Sequence, residues 1–421
     1  IPVDPAFDYR FADGSNVKFA NLSRYQTLQA ISASFGSEAA AQWDHIMKRG
    51  EAMWDVSREP FIESELTSIA ALLKRATLLR DLLVIAPHKS LRQIATEKLT
   101  DQRLRYIVDR YATYSGSDPR KAPAVLLSIA FVEEAFGAWH LAGGVGQLAV
   151  AIEKRCLDLG VKIHLNSPVS KINTSKGIAQ GITLADGREI AADYIVSNSD
   201  ASLTYHQLIG PAEKRAKSER KNLAKTQKSL AGFSLLLGLR PSDSAEKLNH
   251  HTILFPADYD AEFEAIFTEK RPVESPTIYI CAPNDPLMVK DPGHESWFVL
   301  VNAPPHDESG TNGFDWRDEN FKHKYANSII TQIEARGIKI RERLDVLEIR
   351  TPLDLQESVM APGGSIYGTS SNSASAAFLR TKNRSPIKNL FCVGGSTHPG
   401  GGLPLVGISA EIVANAIGRA R

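Results

Sequence analysis

Charge of one sign, paired cysteines and long apolar runs are all missing from this sequence of 421 residues. Lys and Arg total 49 against 48 Asp and Glu, a net charge of +1. That balance removes any global attraction to nucleic acid, and no nucleic-acid-binding motif is present. The three cysteines, Cys156, Cys281 and Cys392, are far apart and form no CxxC. This excludes a disulfide framework and a Cys-rich zinc module, and it fits a reducing, cytoplasmic compartment. The eleven histidines make no HExxH; His250-His251 reads as the start of a strand, and no metal is expected. No run approaches about 18 uninterrupted apolar residues, so no segment reads as a bilayer-crossing helix. What remains is an ordinary globular composition, 43% hydrophobic and 23% charged, long enough for two or three domains of about 150 residues each.

From Asn21 to about Arg120 the pattern is helical. In "FIESELTSIAALLKRATLLRDLLVIAPHK", Leu66, Ile69, Ala70, Leu73 and Ala76 recur at helical steps and form one face. Pro87 interrupts, and Thr100-Asp101 caps the next helix, "QRLRYIVDRYATY". Residues 78–86 are apolar nearly all round except for Arg80 and Asp81. They read as a core helix, with a surface helix that dips into lipid as the alternative. Between Gly137 and Ile209 the pattern turns to α/β. "GGVGQLAVAIEKRCLDLG" is a loop, a helix and a Gly stop; "VKIHLNSPVSKI" is a strand broken at Pro168; a hairpin then turns at Asp186-Gly187. From Lys228 to Pro304 come the spaced strands "LAGFSLLLGLR", "HHTILFP", "PTIYICAP" and "ESWFVLVNAP", which suggest an antiparallel sheet with helical cover.

One formal dinucleotide fingerprint is present, "GVGQLA" at residues 144–149. No β-branched strand precedes it, and Asn166 stands about 20 positions on, where a ribose-binding acid belongs. It reads as a tight turn that lets the next helix pack closely. The stretch "FCVGGSTHPGGGLPLVG" at residues 391–407 carries more. It follows an apolar strand and precedes a helix entered at Gly407, where backbone N–H groups favour an anion or an electron-rich carbonyl. A turn used only for packing is the alternative. "APGGSIYGTSSNSASAAFLR" at residues 361–380 reads, alone, as a polar connection.

Taken in order, "GAWHLAGGVGQLAVAIEKRCLDLGVKIHLNSPVSKI", "ADGREIAADYIVSNSDASLTYHQLI", "PGGSIYGTSSNSASAAFLR" and "NLFCVGGSTHPGGGLPLVGISAEIVANAI" resemble the phytoene desaturase family of flavoproteins, within the amine-oxidase-like group. The resemblance implies an α/β fold of mixed α+β type. An incomplete Rossmann-like FAD-binding domain would comprise residues 1–25, 130–210 and 383–421. Residues 26–129 would form a helical, membrane-facing region, and 211–382 an antiparallel-sheet substrate domain. Val169 would meet the adenine through its backbone. Gly394, Gly395 and Ser396 would approach the pyrophosphate and ribityl chain, and the Pro404, Leu405 and Val406 backbone would lie near the flavin ring. Thr397, His398, Pro399, Gly400, Gly401, Gly402 and Leu403 complete the cofactor loop. Arg80 and Asp81 match a pair proposed to act near the reacting polyene. Val84 replaces a basic residue often found there, so a solvated or capping ion pair stands beside catalysis as the reading of Asp81.

The family opens with a strand–GxGxxG–helix unit that nothing before Gly144 supplies, and the chain begins with Ile1. The resemblance therefore implies truncation, and an isolated chain that holds flavin poorly. The implied reaction is desaturation of an acyclic carotenoid or related isoprenoid by hydride transfer to flavin N5, with oxygen or a quinone reoxidising the flavin. Such a substrate calls for an apolar tunnel and a peripheral membrane surface. Terminal-methyl oxidation, carotenoid isomerisation and a prenyl-binding escort of the same fold without redox role are the alternatives.

Overall fold

The computed structural model describes residues 1–66, 77–372 and 380–419. Among them the chain forms twelve strands: β1 (Phe7–Arg10), β2 (Asn16–Phe19), β3 (Val169–Ser175), β4 (Ile178–Leu184), β5 (Glu189–Ala191), β6 (Ile195–Ser197), β7 (Ala231–Leu239), β8 (His251–Leu254), β9 (Ile278–Cys281), β10 (Glu295–Ala303), β11 (Leu344–Arg350) and β12 (Leu390–Cys392). Seven of them make one sheet in the order β11-β7-β10-β9-β8-β1-β2. Every neighbouring pair is antiparallel except β1 and β8, which run parallel. The antiparallel sheet with helical cover is thus present, and residues 7–19 extend it by a hairpin.

The period-2 pattern of β7 explains its place. Ala231, Phe233, Leu235, Leu237 and Leu239 are all buried, and they share a core with Trp297, Val299 and Val301 of β10. The Glu319–Glu334 helix covers this face with Tyr325, Ile329, Ile330 and Ile333; Asp318 caps it by accepting from the Asn320 and Phe321 N–H groups. Phe233 meets Tyr325 edge-on, with ring centroids 4.9 Å apart. A second core joins Tyr9, Phe11, Phe255 and Phe263 to the helices Arg24–Phe35, Ser37–Ser57, Leu91–Lys98 and Gln102–Thr113. A third, smaller core holds Ile172, Tyr205, Ile387, Leu390 and Cys392.

Several sequence expectations change here. Residues 161–165 form no strand, although Val161, Ile163 and Leu165 alternate; all three are exposed, and a strand needs a ladder partner that none of the described residues provides. The Gly146–Asp158 helix buries none of its residues, so the "GVGQLA" turn does not serve close packing against the described residues. The Leu78–Ile85 helix is not a core helix. It buries Asp81 and presents Leu79, Leu82 and Leu83 outward, at 80%, 41% and 77% exposure. The expected helical face at Ile69, Ala70, Leu73 and Ala76 lies outside the described residues. The final helix runs from Leu403 to Ile417 and so starts four residues before Gly407. Proline in the first turn needs no N–H acceptor and its fixed φ suits a helix start, which is why Pro404 belongs inside it.

Within the sheet region Glu262 is fully buried. Its carboxylate accepts from the Thr277 N–H at 2.6 Å and the Asn302 amide at 2.8 Å, and burial pushes its pKa from 4.5 up to about 7. An acid whose folded pKa is raised contributes its full stability below the unfolded value and loses it as the pH climbs to the folded one. Urea midpoints should therefore fall between about pH 4.5 and pH 7, and Glu262→Gln should flatten that limb; an unchanged limb removes Glu262 as its source. Phe233→Ala should cost about 3–5 kcal/mol, measured by the same unfolding series.

Candidate functional site

β12 pairs in parallel with β6, Leu390 to Ile195 through Cys392 to Ser197, and feeds directly into the glycine loop. Gly394 takes φ 98°, and a Cβ there would run into Asn198 Oδ1, so only glycine makes this turn. Ser396 Oγ accepts from the Ala201 N–H at 2.9 Å, which ties the loop to the segment after β6. Thr397 donates through both N–H (3.1 Å) and hydroxyl (2.8 Å) to the Gly394 carbonyl. His398 donates its N–H to Thr381 O at 2.9 Å, and its ring Nε2 lies 2.9 Å from Ser64 O.

Three residues that sequence reasoning missed hold this loop. Arg380 is buried, and its guanidinium donates to the carbonyls of Tyr367 (3.0 Å), Thr369 (3.2 Å) and Gly395 (3.0 Å). Burial lowers its pKa to about 10. Asn383 Nδ2 reaches His398 O at 2.9 Å and Ser409 Oγ at 3.0 Å. Ser409, on the final helix, donates to His398 O at 2.9 Å. Arg380 stood in a quoted polar stretch, yet no spacing rule marks a lone Arg as the clasp of a loop about 15 residues away.

The loop ends at Gly402, φ 100°, which is the N-cap of the final helix and carries no capping side chain. A Cβ at Gly402 would point into open space, with no described atom within 4 Å. The Leu403 and Leu405 N–H groups lie in the first turn, where no intrahelical acceptor exists, and Leu403 and Pro404 are exposed. The result is an accessible, partly positive end of a helix beside a bare glycine backbone, which fits an electron-rich ring carbonyl or anionic edge of a flavin. Val169 opens β3 and is exposed, opposite Leu184. Asp81 and Arg80 part company: Asp81 is buried and accepts from Thr77 Oγ1 at 2.8 Å, whereas Arg80 is exposed. A cavity of about 670 Å³ adjoins the loop at Ser396 and Gly368. Lys225, Lys228, Lys270 and Asp200 line it, so it is not the apolar tunnel expected for a polyene.

A strand, a glycine loop and the open end of a helix on a mixed α/β scaffold make a backbone cradle suited to a nucleotide cofactor. The family described as flavin containing amine oxidoreductase matches residues 34–227. A 1-hydroxycarotenoid 3,4-desaturase of Flavobacterium sp. (strain P99-3) is 35% identical over 324 residues, 76% of this chain and 63% of that protein. The chain therefore spans less than two thirds of that relative. A 4,4'-diapolycopene oxygenase of Methylomonas sp is 28% identical over 420 residues, 99% of this chain and 82% of that protein. Among solved structures, a putrescine oxidase variant superposes with a TM-score of 0.58 at 14% identity, covering 100% of this chain and 82% of the other, a likeness of fold. These matches support a flavin-containing amine oxidoreductase of phytoene desaturase-like kind, with FAD as its cofactor.

Arg380→Lys keeps the charge but not the three-carbonyl fork. It should lower stability by about 2–3 kcal/mol and reduce the flavin content of the purified protein, read from the protein-to-flavin absorbance ratio. Wild-type flavin content in the variant would dissociate the Arg380 clasp from cofactor binding.

Proposed function

We propose that this chain is part of an FAD-dependent oxidoreductase that desaturates an acyclic carotenoid or a related isoprenoid. The observation that carries the reading is the glycine loop opening onto the uncapped end of the final helix, in a chain whose relatives are named as carotenoid desaturases and oxygenases. Residues 130–210 and 383–421 form the flavin-facing part, and residues 211–382, whose sheet β1 and β2 extend, shape the substrate side. FAD, when bound, supplies a two-electron acceptor for a hydride drawn from a carbon of the chain. Val169 serves the adenine end, and Gly394, Gly395 and Ser396 the pyrophosphate. The Leu403 and Leu405 N–H groups favour negative charge at the ring, with Pro404 and Val406 beside them. Residues from Thr397 to Gly402 shape the turn. Asp81, held by Thr77, is the candidate acceptor for the second proton, and Arg80 is its solvent-side neighbour.

The outward stripe of Leu79, Leu82 and Leu83 supports peripheral attachment to a membrane, the source of so apolar a substrate. No described helix is long and apolar enough to cross one. A second reading, oxidation of a terminal methyl group, is favoured by the alignment with the diapolycopene oxygenase over 99% of the chain. Oxygen or a quinone serves as electron acceptor in both readings.

Expression in a host that accumulates acyclic carotenoids should yield products lighter by two hydrogens per step, scored by mass. Products that gain oxygen instead favour the second reading, and unchanged carotenoids with flavin bound overturn both. Asp81→Asn should lower turnover by about 10²–10⁴ while flavin content holds; undiminished turnover removes Asp81 as the base. Changing Leu79 and Leu83 together to Ser should weaken sedimentation with phosphatidylcholine vesicles by at least about a hundredfold, and equal partitioning would rule the stripe out as the anchor.

A further inference from the structure

The start of β8 and the end of β9 bring together three metal-ligating side chains that lie apart in sequence. His251 and Cys281 are direct cross-strand partners, so their side chains share one face of the sheet. His250 stands one residue before the strand. Its Nδ1 lies 3.4 Å from His251 Nδ1 and 3.8 Å from Cys281 Sγ, and the three ligand atoms all fall within 4.8 Å of one another. Around a tetrahedral zinc ion, ligand atoms stand about 3.4 Å apart for two imidazole nitrogens and about 3.6 Å for nitrogen and sulfur. The two spacings measured from His250 Nδ1 are close to these values.

A relay behind the cluster sets the tautomer of His250. The Asp285 carboxylate accepts from the Gly143 N–H at 2.7 Å and lies 2.7 Å from His140 Nε2. An ionised carboxylate can only accept, so His140 carries a proton on Nε2, and the neutral ring then offers a bare Nδ1. That Nδ1 lies 3.2 Å from His250 Nε2, which must then donate. His250 in turn presents the lone pair of Nδ1 to His251 and Cys281. Carboxylate–imidazole chains of this kind orient ligating histidines in metal sites. On the other side the Tyr279 hydroxyl lies 2.7 Å from His251 Nδ1. The Arg110 guanidinium lies over the Tyr279 ring, 5.8 Å from its centroid, and the Glu133 carboxylate offsets its charge.

We propose that His250 Nδ1, His251 Nδ1 and Cys281 Sγ bind one zinc-class divalent cation, with a fourth position left to water. On binding, the Cys281 S–H bond breaks, the sulfur–metal bond forms and the proton passes to bulk water. His251 Nδ1 exchanges its hydrogen bond with Tyr279 for the metal. No oxidant or reductant is involved.

The test titrates purified protein with Co²⁺ and reads its visible spectrum. One equivalent should give the intense d–d bands of a four-coordinate site together with a thiolate-to-cobalt charge-transfer band. Cys281→Ser should lose the charge-transfer band, and changing both His250 and His251 to Ala should weaken binding by at least about a hundredfold in competition with a chelator. His140→Ala, behind the first ligand, should weaken it by about 10–100-fold. A charge-transfer band that survives in Cys281→Ser, or wild-type binding no tighter than that of the double His variant, overturns the site. Melting curves without metal establish that each variant is folded; should the double variant fail to fold, Cys281→Ser decides alone.

Discussion

The ladder between β7 and β10 runs unbroken from Ala231↔Ala303 to Leu239↔Glu295, and the candidate cofactor loop hangs from its end. Just before β7, the Ser229 N–H donates to Gly368 O at 2.9 Å, and the Leu230 carbonyl accepts from Ile366 N at 3.3 Å. Ser229 and Ser365 hydroxyls meet at 3.1 Å in the same buried corner. The segment 365–369 is thus an extension of the sheet, and the carbonyls of Tyr367 and Thr369 are presented from it. Arg380 joins those carbonyls to Gly395. A chain of ordinary hydrogen bonds therefore carries the rigidity of a packed sheet into a loop made largely of glycine, which has none of its own.

That arrangement explains why the loop can be both open and defined. Gly402 and the first turn of the final helix are accessible, while His398 and Ser409 beneath them are buried and mutually bonded. A flavin edge needs an accessible backbone that does not move, and the two demands are met by different layers of the same segment. Arg380 is a costly residue to bury, since it has no carboxylate partner among the described residues and its pKa falls to about 10. Three carbonyls compensate it, and a neutral side chain could not span them.

The surface of the Leu78–Ile85 helix follows from the same logic of layers. The buried Asp81 occupies the inner face, where it accepts from Thr77 Oγ1, and the leucines are left outside. In a protein that meets only water this inversion would lose the burial of several apolar side chains. In the function proposed above, with the substrate drawn from a membrane, it is the favourable orientation.

Local periodicity in the sequence was sufficient for most elements. The alternation in β7 and β10, the capping Asp101, and the turn at Gly187 each follow from interactions within a few residues, and those are written in adjacent letters. Family membership was also legible, because the glycine loop is a contiguous run. Tertiary structure alone decided the rest. Residues 161–165 have the letters of a strand but no partner; the leucines around Asp81 have the letters of a core helix but face outward. Arg380 acts on carbonyls 11 to 15 residues away. His250 and His251 read correctly as a strand start, yet their meeting with Cys281 depends on the register of β8 against β9. Register and burial are set by which surfaces the whole chain brings together, and no local pattern contains that information.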